Sequence, residues 1–302
     1  MKIPLIDFSS YDETNEEAIA TIGEQVSRAL TDIGFMAVIN IGIDDDVLAK
    51  EFATSKDFFA KSEIEKEKFA YTSAADNFGY HGILKEKLDP LKSADLKETF
   101  TMRAPFKYAQ DKTRWPSPEF RDNSINFYHD LIACSNKILT VIASALNVEP
   151  NYFVKCFNHE NVSLRLLHYP SVGPEVNPTQ LGAGAHTDYG IITLLFQDSV
   201  GGLEVKDKEG KWQAVDYVEN AIIINTGDLM ERWTNGKYKS TLHRVQPKIG
   251  QQERFSIALF MDPDSATTVE VIESCTSESN PAKYPPISAG EHIQMKLLAT
   301  HT

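Results

Sequence analysis

A change of hydrophobic period near residue 162 constrains this 302-residue chain more than any other feature. From there the apolar residues fall into short β-type runs at 162–169, 181–186, 191–196, 202–205, 212–214, 221–225, 242–246 and 254–261, separated by Gly, Pro, Asn and Asp. Short runs between turn residues at this spacing are the mark of an all-β sandwich or barrel. Upstream the period is helical. Residues 14–31 place Ala18, Ile19, Ile22, Val26, Ala29 and Leu30 at amphipathic spacing, 44–60 reads as a further helix, and 117–146 carries Phe120, Phe127, Leu131, Ile138, Leu139 and Ile142 along one side. A short strand is expected at 34–40, a solvated helix face from Lys61 to Lys68, and a loop at 77–82. The chain thus reads as α+β with a mainly β core. Its 42% hydrophobic content and scattered Gly and Pro fit one large unit, not a tandem array.

Within the β-type runs, His186, Thr187 and Asp188 lie on one short segment and His243 on a distant one. Side chains at i and i+2 of a strand share a face, so His186 and Asp188 can reach one metal ion, to which the far strand brings His243. Two neutral imidazoles and one carboxylate on one face of an octahedral ion leave the opposite face open. That suits non-heme Fe(II), which must bind O2 and a second reactant. His-x-Asp alone is a chance tripeptide more often than a site; a third motif gives it weight. Arg254 and Ser256, again at i and i+2, stand in Glu-Arg-Phe-Ser-Ile-Ala-Leu-Phe, residues 253–260. A guanidinium and a hydroxyl aimed at the metal pocket form a receptor for a carboxylate, because the planar donor fork of Arg matches two carboxylate oxygens. The implied ligand is a small dianion that chelates iron at one end and meets Arg254 at the other. 2-Oxoglutarate has that form.

Together these motifs resemble the iron(II)- and 2-oxoglutarate-dependent oxygenases of the isopenicillin N synthase-like family. The resemblance runs from about residue 3 to about residue 298. It includes Ile-Pro-Leu-Ile-Asp-Phe at 3–8, Ile-Gly-Phe-Met-Ala-Val-Ile-Asn-Ile-Gly-Ile at 33–43, Asp-Leu-Lys-Glu-Thr-Phe at 95–100 and Leu-Arg-Leu-Leu-His-Tyr-Pro at 164–170. Two positions depart from the family pattern. Ile41 stands where a His is usual, and Leu167 replaces an Asn common in plant members, which removes one contact to the co-substrate in those relatives.

The resemblance implies a double-stranded β-helix (jelly-roll) barrel at 161–302, a long helix leading into it at 116–160, and an N-terminal region of the non-heme dioxygenase type at 1–115 whose helices pack around the barrel. It implies Fe(II) on His186, Asp188 and His243, and 2-oxoglutarate with its far carboxylate on Arg254, Ser256 and Tyr169. O2 is the co-reactant and ascorbate the agent that keeps iron reduced. The implied reaction couples decarboxylation of 2-oxoglutarate to succinate and CO2 with oxidation of a C–H bond, usually hydroxylation, and uses no catalytic side chain beyond the metal site. Three alternatives stand beside it. Isopenicillin N synthase and aminocyclopropanecarboxylate oxidase types use the same triad without 2-oxoglutarate, ethylene can form from 2-oxoglutarate itself, and a non-catalytic metal-binding barrel belongs to a different class. The substrate is not legible. By the same analogy Arg165, Met102 and Phe260 are candidate substrate contacts. Arg165, on the strand face of Tyr169, either meets a structural carboxylate or anchors an anionic substrate.

The balance of 30 Lys and Arg against 43 Asp and Glu, a formal charge of −13, argues against a nucleic-acid partner, which draws on concentrated positive charge. No apolar run is long enough to span a bilayer, and no signal-peptide pattern opens the chain. A cytoplasmic protein acting on a small molecule, as a monomer or weak homo-oligomer, is expected. Cys134, Cys156 and Cys275 are too widely spaced for a disulfide framework or zinc motif. His168 has the wrong strand parity for the pocket and should face outward. Asp228 should shape the turn before His243, and Trp115 and Trp233 should pack.

Overall fold

The computed structural model describes residues 2–89, 92–173, 180–247, 250 and 252–300, with no side chains described at 297–300. Helices begin where the sequence supplies caps. After β1 (Leu5–Asp7), the Asn15 side chain accepts a hydrogen bond from Ala18 N and starts α1 (Glu16–Asp32), with Glu16 and Glu17 suited to the positive end of the helix dipole. Beyond β2 (Phe35–Ile39), Asp44 caps α2 (Asp45–Phe59) in the same way. One turn, α3 (Glu63–Lys66), precedes β3 (Phe78–His81) and β4 (Glu98–Arg103). Ser117 caps α4 (Pro118–Ala145), whose first residue is a proline at a position where no N–H is needed. There follow β5 (Ser163–Tyr169), β6 (Ala183–His186), β7 (Ile192–Gln197), β8 (Leu203–Lys206), β9 (Trp212–Ala214), β10 (Ile222–Thr226) and α5 (Asp228–Trp233). The chain ends in β11 (His243–Val245), β12 (Arg254–Met261), β13 (Thr268–Val269), β14 (Ile287–Ser288) and α6 (Ala289–Thr300).

Two sheets face each other. The large one has the order β1-β2-β10-β7-β12-β5-β4-β3, the small one β6-β11-β8-β9, and β13 and β14 form a separate ribbon. Two apolar clusters bridge the sheets: Leu167, Tyr169 and Ala258 meet Ala183 and Val245, and Phe35, Ala37 and Ile223 meet Leu203 and Val205. The other face of the large sheet packs under α1, α2 and α4, where Leu164, Leu166, Ile257 and Leu259 join Val26, Phe58, Phe127 and Leu131 in the main core. Because both faces of β5 and β12 are covered, these strands read as nearly unbroken apolar runs rather than as an alternation. This is the expected helix-flanked jelly roll.

Three expectations need correction. Residues 78–81 are not a loop but the edge strand β3; Gly79 sits at φ 119, and a Cβ there would lie 2.8 Å from Phe69 O, so the glycine serves close strand contact and not a turn. The run from Lys61 to Lys68 is not wholly solvated, since Lys66 turns inward and its Nζ lies 2.7 Å from Glu98 Oε2 and 3.2 Å from Phe59 O. His168 does sit on the face away from the barrel interior, yet it is buried: its ring stacks on Phe255 at 4.7 Å and bridges Glu98 (2.7 Å) and Glu253 (2.9 Å). Trp115 and Trp233 are core residues as expected, and all three cysteines are free. Among the described residues no helix is long and apolar enough to cross a membrane.

Candidate active site

β6 and β11 pair in the small sheet with His186 directly opposite His243, which puts the imidazole rings 4.3 Å apart. Asp188 follows just past the end of β6. Its Oδ1 lies 3.7 Å from Nε2 of each histidine, and the three ligand atoms are all within 4.8 Å of one another. The hydrogen bonds behind them set their chemistry. His186 Nδ1 lies 2.7 Å from Gly184 O, and His243 Nδ1 lies 3.1 Å from Thr241 O. A carbonyl only accepts, so each Nδ1 carries the proton and each Nε2 presents its lone pair to the same point. Asp188 Oδ2 accepts from Thr193 Oγ1 (2.5 Å) and Asn225 Nδ2 (2.8 Å), which turns Oδ1 toward the histidines. Outer partners of this kind orient a metal ligand and sharpen its geometry.

The electrostatics agree with a ligand set. Burial, and then the neighbouring His243, push His186 down to about 3 against the pull of Asp188, so the ring is neutral at physiological pH. Burial works the other way on Asp188, but His243, His186 and the two donors together hold its carboxyl below the usual range. Two imidazole nitrogens and a carboxylate oxygen facing one point match the donor set that Fe(II) takes.

The turn before His243 braces this group. Asp228 N donates to Asp188 O (2.8 Å), and the Asp228 carboxylate accepts from Ser240 Oγ (2.5 Å) and Thr187 Oγ1 (3.3 Å) and pairs with Lys296 of α6 (2.6 Å). Gly227 lies so close beneath the His-x-Asp loop that a Cβ would sit 2.5 Å from Gly190 O and 2.9 Å from Asp188 O. Asp228 is thus a brace and not a ligand, in line with its expected turn role.

Farther along the interior, register sets Arg254 opposite Tyr169, and Ser256 between Leu167 and Gln197. The Arg254 guanidinium lies over the Tyr169 ring (4.7 Å), donates to Ser256 Oγ (3.1 Å) and reaches Gln197 Oε1 (3.4 Å). It is 4% exposed, and among the described residues it has no carboxylate partner. Arg254 Nε and Gln197 Nε2 are buried donors without acceptors. A buried guanidinium without an anion is costly, and idle donors beside it mark the place for one. Leu167, Ala183, Val245 and Ala258 supply apolar walls between this cation and the histidines. The pocket fits a molecule with an anionic end, a short apolar middle and a chelating head, as 2-oxoglutarate has.

The candidate substrate contacts separate. Phe260 is half-buried on the interior face, level with Thr193. Met102 is not in the pocket: it is fully buried in the core under the helices, because β4 alternates Thr99, Thr101 and Arg103 inward with Phe100 and Met102 outward. Arg165 faces inward but is not an open anion anchor. Its Nη2 pairs with Glu86 and donates to Thr99 Oγ1, and Glu86 also faces Lys97 at 3.5 Å. Burial would raise Glu86, yet Arg165, Lys97 and His81 hold it at about 2. Sequence reading missed Thr193, Asn225 and Gln197, whose only signal is a polar side chain inside an apolar strand. It also missed Asp262, which follows β12 on the inner parity; burial and then Asp188 push it up to about 7, offset by Arg103.

A family model described as the 2OG-Fe(II) oxygenase superfamily matches residues 160–263, and one described as non-haem dioxygenase in morphine synthesis N-terminal matches residues 3–119. The chain is 32% identical to the 2-oxoglutarate-Fe(II) type oxidoreductase hxnY of Emericella nidulans, covering 96% of this chain and 88% of that one. It is 30% identical to the proline hydroxylase buaE of Petromyces alliaceus over the whole length of both. Among solved structures, a full-length Neurospora crassa protein in complex with alpha-KG is 35% identical, with a TM-score of 0.88 over 99% of this chain and 96% of that one. The same Neurospora crassa protein with alpha-KG and thymine is 33% identical at a TM-score of 0.86, covering 99% and 97%.

Proposed function

The chain belongs to the 2OG-Fe(II) oxygenase superfamily and is an Fe(II)- and 2-oxoglutarate-dependent oxidoreductase; from that premise we propose that it hydroxylates a small organic substrate at the site built on His186, Asp188 and His243. In this reading residues 161–302 form the catalytic jelly-roll domain, 116–160 carry the helix leading into it, and 1–115 form the N-terminal region.

The observation that carries the proposal is the division of labour at Asp188: one oxygen is fixed by Thr193 and Asn225 while the other faces two Nε2 atoms at 3.7 Å. When bound, iron would let O2 act as the oxidant, with one oxygen atom going to 2-oxoglutarate, which leaves as succinate and CO2, and the other to the substrate. The protein's own residues do the rest. The two carbonyl acceptors keep each Nδ1 protonated, so both imidazoles face the metal position in the same tautomer. Arg254, with Ser256 and Gln197 beside it, binds the far carboxylate of the co-substrate, and Tyr169 supports the guanidinium from below. The apolar walls exclude water between the two ends. Phe260 and the inward residues of β3, β4 and β5 bound the open side, where a substrate C–H bond is placed. Two relatives support a hydroxylation outcome on small molecules: one is named a proline hydroxylase, and the other is solved with thymine.

The test is succinate formation by purified protein supplied with Fe(II), 2-oxoglutarate and O2, against a panel of amino acids, small carboxylic acids, phenolics and nucleobases. Succinate should require both iron and 2-oxoglutarate, and one class of compound should stimulate it and gain one oxygen atom. Productive O2 consumption without 2-oxoglutarate would overturn the proposal in favour of an oxidase.

A further inference from the structure

Buried polar atoms without partners are few in native proteins. Four without a hydrogen-bond partner collect on one patch of the barrel interior, His81 Nδ1, Glu86 Oε2, Thr101 Oγ1 and Arg165 Nε, of which Glu86 Oε2 faces Lys97 Nζ at 3.5 Å. They stand on adjacent strands, for Thr101 pairs with Arg165 across β4 and β5, His81 lies opposite Thr99 on β3, and Glu86 follows in the loop after β3. The neighbouring row runs Thr193, Phe260, Ser163, Arg103, so the patch lies one row from the residue that holds Asp188. At its outer end are two half-buried charged side chains. Neither the Arg103 guanidinium nor the Asp262 carboxyl makes an ion pair or side-chain hydrogen bond among the described residues, although each lies within the other's field.

The chemistry of these groups is two-sided. Arg165 Nε is a buried donor without an acceptor, the half-buried Arg103 and Asp262 offer a further donor and acceptor, and the Thr101 hydroxyl serves either way. Arg165 and Lys97 are answered by Glu86 and Asp95, and Arg103 stands in the field of Asp262. A carboxylate added to this set would face the Glu86 and Asp262 carboxyls, and a hydrocarbon would leave the idle donors unsatisfied.

We infer that this patch is the primary-substrate subsite, and that it takes a compact neutral molecule offering both C=O and N–H groups, of the lactam or cyclic ureide type. The inference rests on the oxygenase reading above and adds the substrate class to it. Arg103 meets a carbonyl oxygen, Asp262 meets an N–H group, and the oxidised carbon is thereby held toward the metal side.

The experiment compares succinate formation by the Fe(II)- and 2-oxoglutarate-loaded protein with neutral probes (thymine, uracil, 2-piperidone) and with anionic probes (benzoate, hexanoate). At least one neutral probe should stimulate succinate release, and no anionic probe should do better. For the best probe, Arg103→Met and Asp262→Leu should each raise its KM at least about tenfold, the size expected for losing a hydrogen bond to a charged group. Arg103→Lys, which keeps the charge, should lose less than Arg103→Met. A better anionic probe, silence from every neutral probe, or unchanged KM in both variants would overturn the inference. Binding of 2-oxoglutarate to the Fe(II)-loaded protein with no probe present separates the two levels: its absence counts against the co-substrate reading, and its presence alongside silent neutral probes counts against the subsite.

Discussion

Removing the donors that hold Asp188 Oδ2 should weaken iron binding without touching any ligand. Thr193 Oγ1 and Asn225 Nδ2 reach that oxygen at 2.5 and 2.8 Å, and Asp188 is buried, so water does not readily replace them. A hydrogen bond to a charged group contributes roughly 1.5–3 kcal/mol, and about 1.4 kcal/mol is a factor of ten. Part of that loss falls on the folded state with or without metal, so the share expressed in metal binding is smaller than the whole. The expectation is about a 10- to 100-fold rise in the Fe(II) dissociation constant for Thr193→Val or Asn225→Ala, the range typical of changes behind a metal ligand. Because both donors serve one oxygen, the double variant should deviate from the sum of the two singles. Anaerobic Fe(II) titration, with thermal unfolding of the metal-free proteins as a control, measures both quantities. Wild-type iron affinity in the double variant would refute the reasoning.

Three further outcomes follow from local geometry. Glu51 is 1% exposed, and burial, opposed by a hydrogen bond from Ser124 Oγ, raises its carboxyl from 4.5 to about 7. Because the folded value is the higher one, the stability it contributes is complete below 4.5 and lost as pH rises through about 7. Glu51→Gln should remove up to roughly 3 kcal/mol of that loss, seen as a gain in stability over wild type at pH 8 that is absent at pH 4.5; equal stability at pH 8 contradicts it. Gly227→Ala should push the Asp188 to Gly190 loop aside, so Fe(II) affinity should fall at least about tenfold while the protein stays folded, and unchanged iron binding would show that the loop can give way. Lys66→Met leaves Glu98 with only Tyr80 and His168 as partners and should cost about 3–5 kcal/mol in denaturant unfolding, whereas a change below about 1 kcal/mol would mean the pair is not needed.

How far the molecule was legible follows from how local each signal is. Arg254 and Ser256 lie at i and i+2 of β12, so strand geometry alone places that pair on one face; His186 ends β6 and Asp188 lies in the loop just beyond it, so there the motif spacing is legible but the strand does not extend to the carboxylate. The barrel runs were visible because Gly, Pro, Asn and Asp interrupt them regularly. What failed needed register. Analogy puts Met102 among the pocket residues, and only the register of β4 reveals its outward parity. The pairing of Arg165 with Glu86 joins residues far apart in sequence, and nothing local signals it. β3 resembles a loop in sequence because Gly79 and Gly82 look like turn residues, although Gly79 is there for close packing. The helix α6 was not anticipated, yet it reaches the metal loop through Lys296 and Asp228.

The central claim is that one pocket holds iron on His186, Asp188 and His243 and 2-oxoglutarate between that iron and Arg254. Anaerobic calorimetric titration of 2-oxoglutarate into the protein, with and without Fe(II), tests it most directly. The account predicts one site per chain in the wild type, binding that tightens strongly when Fe(II) is present, loss of that tightening in His243→Ala, and at least about a tenfold weaker affinity in Arg254→Gln with iron still bound. Affinity for 2-oxoglutarate that is indifferent to Fe(II), or unchanged in both variants, would contradict it.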